Sequence, residues 1–282
     1  MRSILTFSVF LLAFCVVYPQ NALVAAEPAR STLADGSYVP LPPLEDLTAQ
    51  FNEYRASITR EMGSVAGSAR FTEDAAILVR DASGLALVAL AIGLADDDSE
   101  FKKSAPHIVA AAKQLAAAQN ITEATAAYEA LTAALTNTSD APALTWSSKI
   151  VDLTQASAAK QSLFTAIERL TSAENRFNSV MAGANAAMQR ARQQTFANLA
   201  GLAVIIQGTI PNVEQTKVPD NAEAWKRYSE EFRNYAIAVN AAAHDRAAGG
   251  ATNFAAFREV FQAMETSCDA CHAVFYPDAI VE

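Results

Sequence analysis

Cysteine and histidine are scarce in this chain, with three of each among its 282 residues. One cysteine lies in an apolar N-terminal run, and the other two, Cys268 and Cys271, lie together near the C-terminus. Two neighbouring cysteines exclude the disulfide framework on which small secreted domains rely. A structural zinc site takes four ligands, and His107 and His244 have no second ligand at paired spacing. The cluster formed by Cys268, Cys271 and His272 therefore needs another explanation.

Basic residues are also in deficit, with 21 Lys and Arg against 30 Asp and Glu. The first 26 residues hold one basic residue, Arg2, and no acidic one, so the rest of the chain has 20 basic and 30 acidic residues, a net charge of −10. Such an acidic balance argues against nucleic acid and anionic membranes as partners. It would suit a basic redox partner protein, although solubility alone also explains it.

The N-terminus predicts a signal peptide over residues 1–26. Arg2 is followed by the apolar run "ILTFSVFLLAFCVVYP", and the small residues Val24 and Ala26 stand at the offsets of a cleavage site after Ala26. The alternatives are a membrane anchor, for which the run is short, and a lipoprotein signal at Cys15, which bulky Phe14 disfavours. We therefore expect a periplasmic or secreted protein. No other segment looks apolar enough to span a bilayer, so we expect no membrane span in the mature chain.

Strand patterns are missing as well, since no segment alternates convincingly between apolar and polar residues. Alanine-rich sequence of helical period dominates from Leu44 onward, after a linker over 27–43. Large apolar residues recur at three- and four-residue steps, as in Phe254, Phe257 and Phe261. These stripes predict an all-α protein.

Glycine and proline divide the second half, 144–282, into a four-helix bundle with a short C-terminal tail. "TIPNVEQTKVPDN" is predicted to be a loop and "HDRAAGG" a turn. The four predicted helices run from near Ser147 to Met181, from Ala184 to Gln207, from Ala222 to Ala243 and from Asn253 to Phe275.

The first half, 44–143, resembles a degenerate copy of the second. "DASGLALVALAIG" parallels "FANLAGLAVIIQG", and "TNTSDAPA" stands where the second half has "ETSCDACHA". Alanine-rich helices resemble each other by composition, so two unrelated helical segments are the alternative. In either case we expect a helical bundle without haem ligands.

The C-terminal cluster reads Cys-x-x-Cys-His, a pattern typical of covalent haem attachment. Each thiol can add across a haem vinyl group to give a thioether, and the adjacent imidazole reaches the iron. A thioredoxin-like redox pair would follow a strand and open a helix. This pair instead lies near the end of a helical pattern, with no βαβ unit before it. The sequence therefore predicts one haem c, attached to Cys268 and Cys271, with His272 as an axial iron ligand.

The region from about Ser147 to Tyr276 resembles the cytochrome c′ family, the class II c-type cytochromes. The resemblance is carried by Cys268, Cys271, His272 and the aromatic Phe275 at the end of a fourth helix. It implies an antiparallel four-helix bundle, often dimeric, with His272 as the proximal ligand.

Two features depart from the family pattern. Tyr276 and Pro277 stand where members often carry a basic residue. For the arginine of the first helix that meets a haem propionate, the chain offers only Lys160 or Arg169 as candidates.

Alternating helix directions place the C-terminal end of helix four beside defined parts of the other three. Phe164 or Leu163 is predicted to cover the iron, with Trp225 and Tyr228 among the pocket walls; the remaining expected walls are Ile167, Leu202, Ile205, Ile206 and Phe232. Met181 should lie near the far end and Met264 should pack within helix four, so we expect a five-coordinate iron.

These expectations define two functions, neither of them enzymatic. The first is periplasmic electron transfer through ferrous and ferric iron, and the alternative is binding of small gases such as nitric oxide or carbon monoxide for sensing or detoxification. A peroxidase would need a distal histidine and arginine, which the pocket end does not offer. We expect either a monomer in which the two halves form an internal pseudo-dimer, or a homodimer.

Overall fold

A computed structural model describes residues 27–66 and 70–277 of the chain. Within them, 72% of residues are helical and 2% are in strands, so the all-α prediction is confirmed. The predicted signal peptide, 1–26, and most of the C-terminal tail lie outside the described residues.

The segment predicted as a linker forms a small antiparallel hairpin of strands β1 (Arg30–Thr32) and β2 (Tyr38–Pro40). Val39 and Leu41 are buried in the core, and the indole N–H of Trp146 donates to the Ser31 hydroxyl. The predicted linker therefore contains two short strands that the sequence pattern did not predict. Three-residue strands are too short to show an alternating pattern.

The first half folds into four longer helices and one short helical turn. Each longer helix packs against the next one along the chain, and successive long helices run antiparallel. The short connections force the reversals of direction, and Tyr54 facing Gly84 fixes the register of the first long pair. The helices are α1 (Leu44–Val65), α2 (Phe71–Asp74), α3 (Ala76–Leu94), α4 (Ala105–Ala117) and α5 (Ile121–Ala134).

The second half has the same order of contacts along its chain. Its elements are α6 (Leu153–Thr171), α7 (Glu174–Ala182), α8 (Ala186–Thr209), a 3-10 helix (Ile210–Gln215), α9 (Ala222–Ala247) and α10 (Phe254–Phe275). Trp225 bonds Thr209 at one end of the α8–α9 pair and Asn240 bonds Phe196 at the other, so α8 and α9 are antiparallel. Arg258 on α10 reaches Thr171 at the end of α6, so α6 and α10 are antiparallel too.

Three predicted boundaries in this half are wrong. The first predicted helix is broken after Thr171, because the hydroxyls of Thr171 and Ser172 bond the carbonyls of the last turn. Part of the predicted loop is the 3-10 helix, which Pro211 opens. The predicted turn at His244 is instead the last turn of α9, and the chain reverses only at Gly249, whose φ is +78°.

The two halves share one hydrophobic core, with α1 and α3 packed on α6 and α8. The central helices α3 and α8 are buried on nearly all sides. Gly208 on α8 lies so close to α3 that a Cβ there would be 2.5 Å from Leu87 Cδ2.

The central helices α3 and α8 are also apolar enough to resemble membrane spans. Ala76–Leu94 and Ala186–Gln215 are long and apolar enough to cross a membrane, so the expectation that no other segment would be is wrong. In the fold, 72% and 78% of the apolar 18-residue window of each stretch are buried inside the protein, as in core helices of globular domains. That the mature chain has no membrane span stays a prediction.

Candidate functional site

Helix α10 carries the Cys-x-x-Cys-His cluster on an amphipathic scaffold. Asn253 caps its start, where the side-chain oxygen accepts the Ala256 N–H at 3.0 Å. Phe257, Phe261 and Met264 then form a fully buried stripe along one face. Cys268 follows Met264 by four residues and extends the same face. The helical period of the core stripe therefore brings the first thiol to the interior of the bundle.

Both thiols of α10 are free and half-buried. Cys268 and Cys271 are three residues apart, nearly one helical turn, so their side chains lie on the same side of α10. Together with His272 they line one cleft. The sequence cluster is therefore a single cluster in space.

The cleft lies where α6, α8, α9 and α10 meet. It encloses a cavity of about 60 Å³ and widens into an open mouth, so that the space free of protein atoms is about 570 Å³ in all. The wall opposite α10 is mainly apolar. The residues from α6, α8 and α9 are Leu153, Ala156, Ser157, Lys160, Ile205, Ile206, Thr209, Trp225, Tyr228, Ser229 and Phe232.

The cleft interrupts the hydrophobic core of the second half. Cys268 packs against the main core. Cys271 packs against a separate cluster at the end of the bundle, which we call the end cluster and which is built on Leu153, Trp225 and Phe275. A flat apolar group held between the two cysteines would contact both clusters and join them.

Backbone separation makes room for such a group. The backbones of α6 and α10 stay largely apart. The gap is bridged by side chains, chiefly Phe164 stacked on Phe261 with ring centroids 5.6 Å apart.

Burial in the cleft favours the neutral forms of the two thiols and of the His272 imidazole. Burial raises the pKa of the Cys271 thiol to about 11 and also raises that of Cys268. Burial, with a further contribution from the Lys160 ammonium, lowers the pKa of His272. Near pH 7 the thiols are therefore protonated, and the imidazole is neutral with a lone pair available to a metal.

Lys160 carries the only formal charge among the side chains that line this cleft in the described part of the chain. Its ammonium lies 5.9 Å from the centroid of the Phe232 ring, a cation–π contact. Arg169, the other candidate for a propionate contact, is exposed and lies roughly 13 Å further along α6. The structure therefore brings Lys160, and not Arg169, to the cysteines.

Two of the four predicted pocket residues line the cleft and two do not. Trp225 and Tyr228 line the cleft and hold Phe275 between them by edge contacts, with centroids 5.2 and 6.4 Å from it. Phe164 lines an adjoining groove on the other side of Lys160. Leu163 lines neither, because it faces α8, where a Cβ at Gly201 would lie 2.7 Å from Leu163 Cδ1. The prediction that Leu163 could cover the iron is therefore wrong.

Of the other residues predicted as pocket walls, some line the cleft and others lie in the core. Ile205, Ile206 and Phe232 line the cleft, whereas Ile167 and Leu202 are buried in the core. Helix α6 thus contributes to the cleft through its first two turns, which lie nearer its start than we expected. Leu153, Ser157 and Tyr276 were missed. The pairing of Phe164 with Phe261, two turns before Cys268, explains the offset.

The two methionines considered as iron ligands lie elsewhere. Met264 is fully buried in the stripe of α10. Met181 lies near the end of α7. It is one turn after Phe177, whose ring packs on Phe254 and Phe257 at the opposite end of α10 from the cysteines.

The other histidines serve as structural contacts. His107 bonds the Ser139 carbonyl at 3.0 Å. His244 is buried, stacks on Phe196 at 3.8 Å and pairs with Asp46 Oδ2 at 2.8 Å, so it is a buried helical residue and not the turn residue that the sequence predicts. Among the described residues, no group of three or more His, Cys, Asp or Glu side chains could hold a metal ion.

Known proteins give no guide to this site. No family model matches the chain, and no curated protein or solved structure matches it either. A functional assignment must therefore be argued from the cleft itself.

Proposed function

We propose that the chain is a periplasmic c-type cytochrome that carries one haem and transfers electrons. Cys268 and Cys271 would hold the haem through thioethers, and His272 would be the proximal iron ligand. The observation that supports this most directly is that both thiols and the imidazole line one apolar cleft inside a helical bundle. The residues thus fit the group chemically, with protonated thiols, a neutral imidazole and a mainly apolar opposite wall.

The second half would then be a four-helix bundle of cytochrome c′ type. Its supports are the antiparallel arrangement of α6, α8, α9 and α10 and the position of the cluster in the last turns of the last helix. The break between α6 and α7 would be a local feature of this chain.

Bound haem would supply one-electron chemistry between ferrous and ferric iron. The chain's own residues would set the conditions for it. His272 offers a neutral ring nitrogen, Ile205 and Phe232 exclude water from the opposite side, and the Lys160 ammonium is placed to attract a carboxylate at the mouth. Since the enclosed cavity is small, Lys160 and Phe164 must change rotamer to admit a macrocycle, which the separated backbones of α6 and α10 allow.

The test is haem attachment in a host that exports the chain and attaches haem c in its periplasm. We expect one haem per wild-type chain, retained on a denaturing gel and quantified as the pyridine haemochrome. Cys268→Ser with Cys271→Ser should abolish covalent haem, because neither thiol of the cluster remains. His272→Ala should change the iron spectrum, whereas the matched control His107→Ala should not. A wild-type protein that loses its haem on denaturation would contradict the proposal.

Gas binding is the second candidate, favoured by the lining of the cleft. Within the described residues, the side chains of α8 and α9 that line the cleft include no methionine, histidine or cysteine, so the sixth iron position would stay open. Carbon monoxide added to the reduced protein should then shift the Soret band. Low-spin bands of a methionine-ligated haem, with no such shift, would rule out gas binding and leave electron transfer as the remaining candidate.

A further inference from the structure

Tyr276 is fixed against His272 by the way α10 ends. Its backbone N–H donates to the His272 carbonyl at 2.8 Å, which closes the last turn of the helix. Its ring then meets the His272 imidazole edge-on, with centroids 6.1 Å apart and planes 81° to each other. Edge-to-face contact is a preferred geometry for aromatic rings.

The surroundings of Tyr276 hold its ring in this place. It is half-buried, lines the cleft and packs on the end cluster of Leu153, Trp225 and Phe275. Burial raises the pKa of its phenol, so the ring is uncharged at neutral pH.

His272 has little else to set its orientation. Within residues 27–66 and 70–277, neither ring nitrogen of His272 takes part in a hydrogen bond with a protein group. Rotation of an imidazole about its Cβ–Cγ bond is soft, and metal-bound histidines usually depend on a neighbouring group for their orientation. The ring of Tyr276 makes an edge-on aromatic contact with this imidazole and can serve that purpose.

We infer that Tyr276 is a positioning residue for the iron ligand, whose ring fixes the plane of the His272 imidazole and shields it from water. This inference rests on the proposed haem site. Imidazole orientation affects the strength of the bond between iron and nitrogen, and a drier ligand disfavours the more highly charged ferric state. Tyr276 should therefore stiffen the iron–histidine bond geometry and raise the reduction potential.

The experiment compares haem-loaded full-length variants by resonance Raman spectroscopy of the ferrous iron–histidine band and by redox titration. Tyr276→Ala should shift the band and lower the midpoint potential. Tyr276→Phe keeps the ring edge and should match the wild type in both. Tyr38→Ala is the control, because Tyr38 is an exposed tyrosine of the hairpin, with 62% of its surface accessible.

The outcomes separate this inference from the proposed function. A wild-type chain without covalent haem contradicts the proposed function before any variant is compared. A haem-loaded Tyr276→Ala variant with the wild-type band and potential overturns only the role of Tyr276, even if it melts earlier. A Tyr276→Phe variant that shifts like Tyr276→Ala also overturns it, because the hydroxyl would then be responsible.

Discussion

Two helical glycines show how differently one added methyl group can act. A Cβ at Gly84 in α3 would lie 2.6 Å from the Tyr54 hydroxyl oxygen and closer still to its ring. Tyr54 is 5% exposed and cannot move aside in a packed core. A Cβ at Gly63 in α1 would have no atom within 4 Å.

The same substitution should therefore have opposite signs at these two sites. Gly84→Ala should lower the free energy of unfolding by about 1–3 kcal/mol through overpacking. Gly63→Ala should raise it by roughly 0.5–1 kcal/mol, because alanine loses less backbone entropy in a helix. Denaturant titrations of both variants measure the difference, and a stabilising Gly84→Ala would contradict the close packing of α1 and α3.

The cysteine cluster shows how far single residues can be placed from sequence. The spacing of Cys268, Cys271 and His272 on a helical stripe predicts that they share a side of one helix, and the structure places them so. The choice between Leu163 and Phe164 could not be made, because it depends on the rotation of α6. That rotation is set by the close approach of Gly201 to Leu163, a contact between distant segments.

At the scale of elements, the hairpin of β1 and β2 is attached to the end of α3 by one carboxylate. Asp96 accepts hydrogen bonds from the Thr32 backbone N–H at 2.8 Å and the Thr32 hydroxyl at 2.7 Å, and pairs with Arg30 at 3.3 Å. The hydrogen bonds from Thr32, with the charge of Arg30, lower the pKa of Asp96.

A lowered pKa gives this attachment a defined pH dependence. The stabilisation is present above the ordinary carboxyl pKa of about 4 and is lost as the pH falls through the lower value of the folded protein. Hydrogen exchange at Ser31 and Val39 should therefore become faster, relative to the intrinsic rate, only in acid.

Asp96→Asn should show this fast exchange already at neutral pH. Asp97→Asn removes the same charge from the exposed neighbouring residue and should not. Equal exchange in the two variants would mean that the hairpin is held without the Asp96 carboxylate, by its apolar residues and by other hydrogen bonds such as that from Trp146 to Ser31.

Element boundaries were predictable where a period or a cap marks them, as for α10 after Asn253. They were missed where side chains compete for backbone groups, as at Thr171 and Ser172. The "TNTSDAPA" segment, compared with the haem motif, lies after the end of α5, whereas "ETSCDACHA" is helical. Its Asn137 side chain accepts the Ser139 N–H in a turn, so the two segments differ in structure despite their sequence likeness.

The starts of α1 and α6 differ in the size of the side chains at matching positions. Asp-Leu-Thr occurs in the first turn of α1 and at the start of α6. If the helices are aligned on these residues, Phe51 takes the place of Ser157 and Tyr54 that of Lys160. Phe51 and Tyr54 are buried, so large side chains fill in the first half the space that stays open in the second.

At the scale of the whole molecule, the halves are joined by polar contacts as well as by the core. Asp46 in the first turn of α1 accepts hydrogen bonds from Asn240 at 2.9 Å and pairs with His244 at 2.8 Å, both on α9. Helix α1 of the first half packs on α8 of the second, and α6 of the second half packs on α3 of the first. These two matching contacts flank the central contact between α3 and α8. This arrangement favours a monomer whose first half occupies the surface that a second copy would otherwise cover.

A shared core predicts that the halves unfold together. The main cluster runs from Ala29 to Met264 without a boundary between the halves, so unfolding either half exposes apolar surface of the other. If the chain carries haem as proposed, the Soret band would report on the second half alone, and far-UV ellipticity on all helices. We therefore expect coincident denaturation curves from the two signals.

Gly84→Ala provides the sharper test, because its damage lies in the first half, between α1 and α3. In a single cooperative unit the Soret midpoint must shift by as much as the ellipticity midpoint, although the substitution does not touch the proposed haem site. In two independent bundles the Soret midpoint would stay at the wild-type value while part of the ellipticity was lost earlier. That second result would separate the halves and remove the first half as a stabilising partner of the cleft, leaving the end cluster and the cofactor to hold the site together.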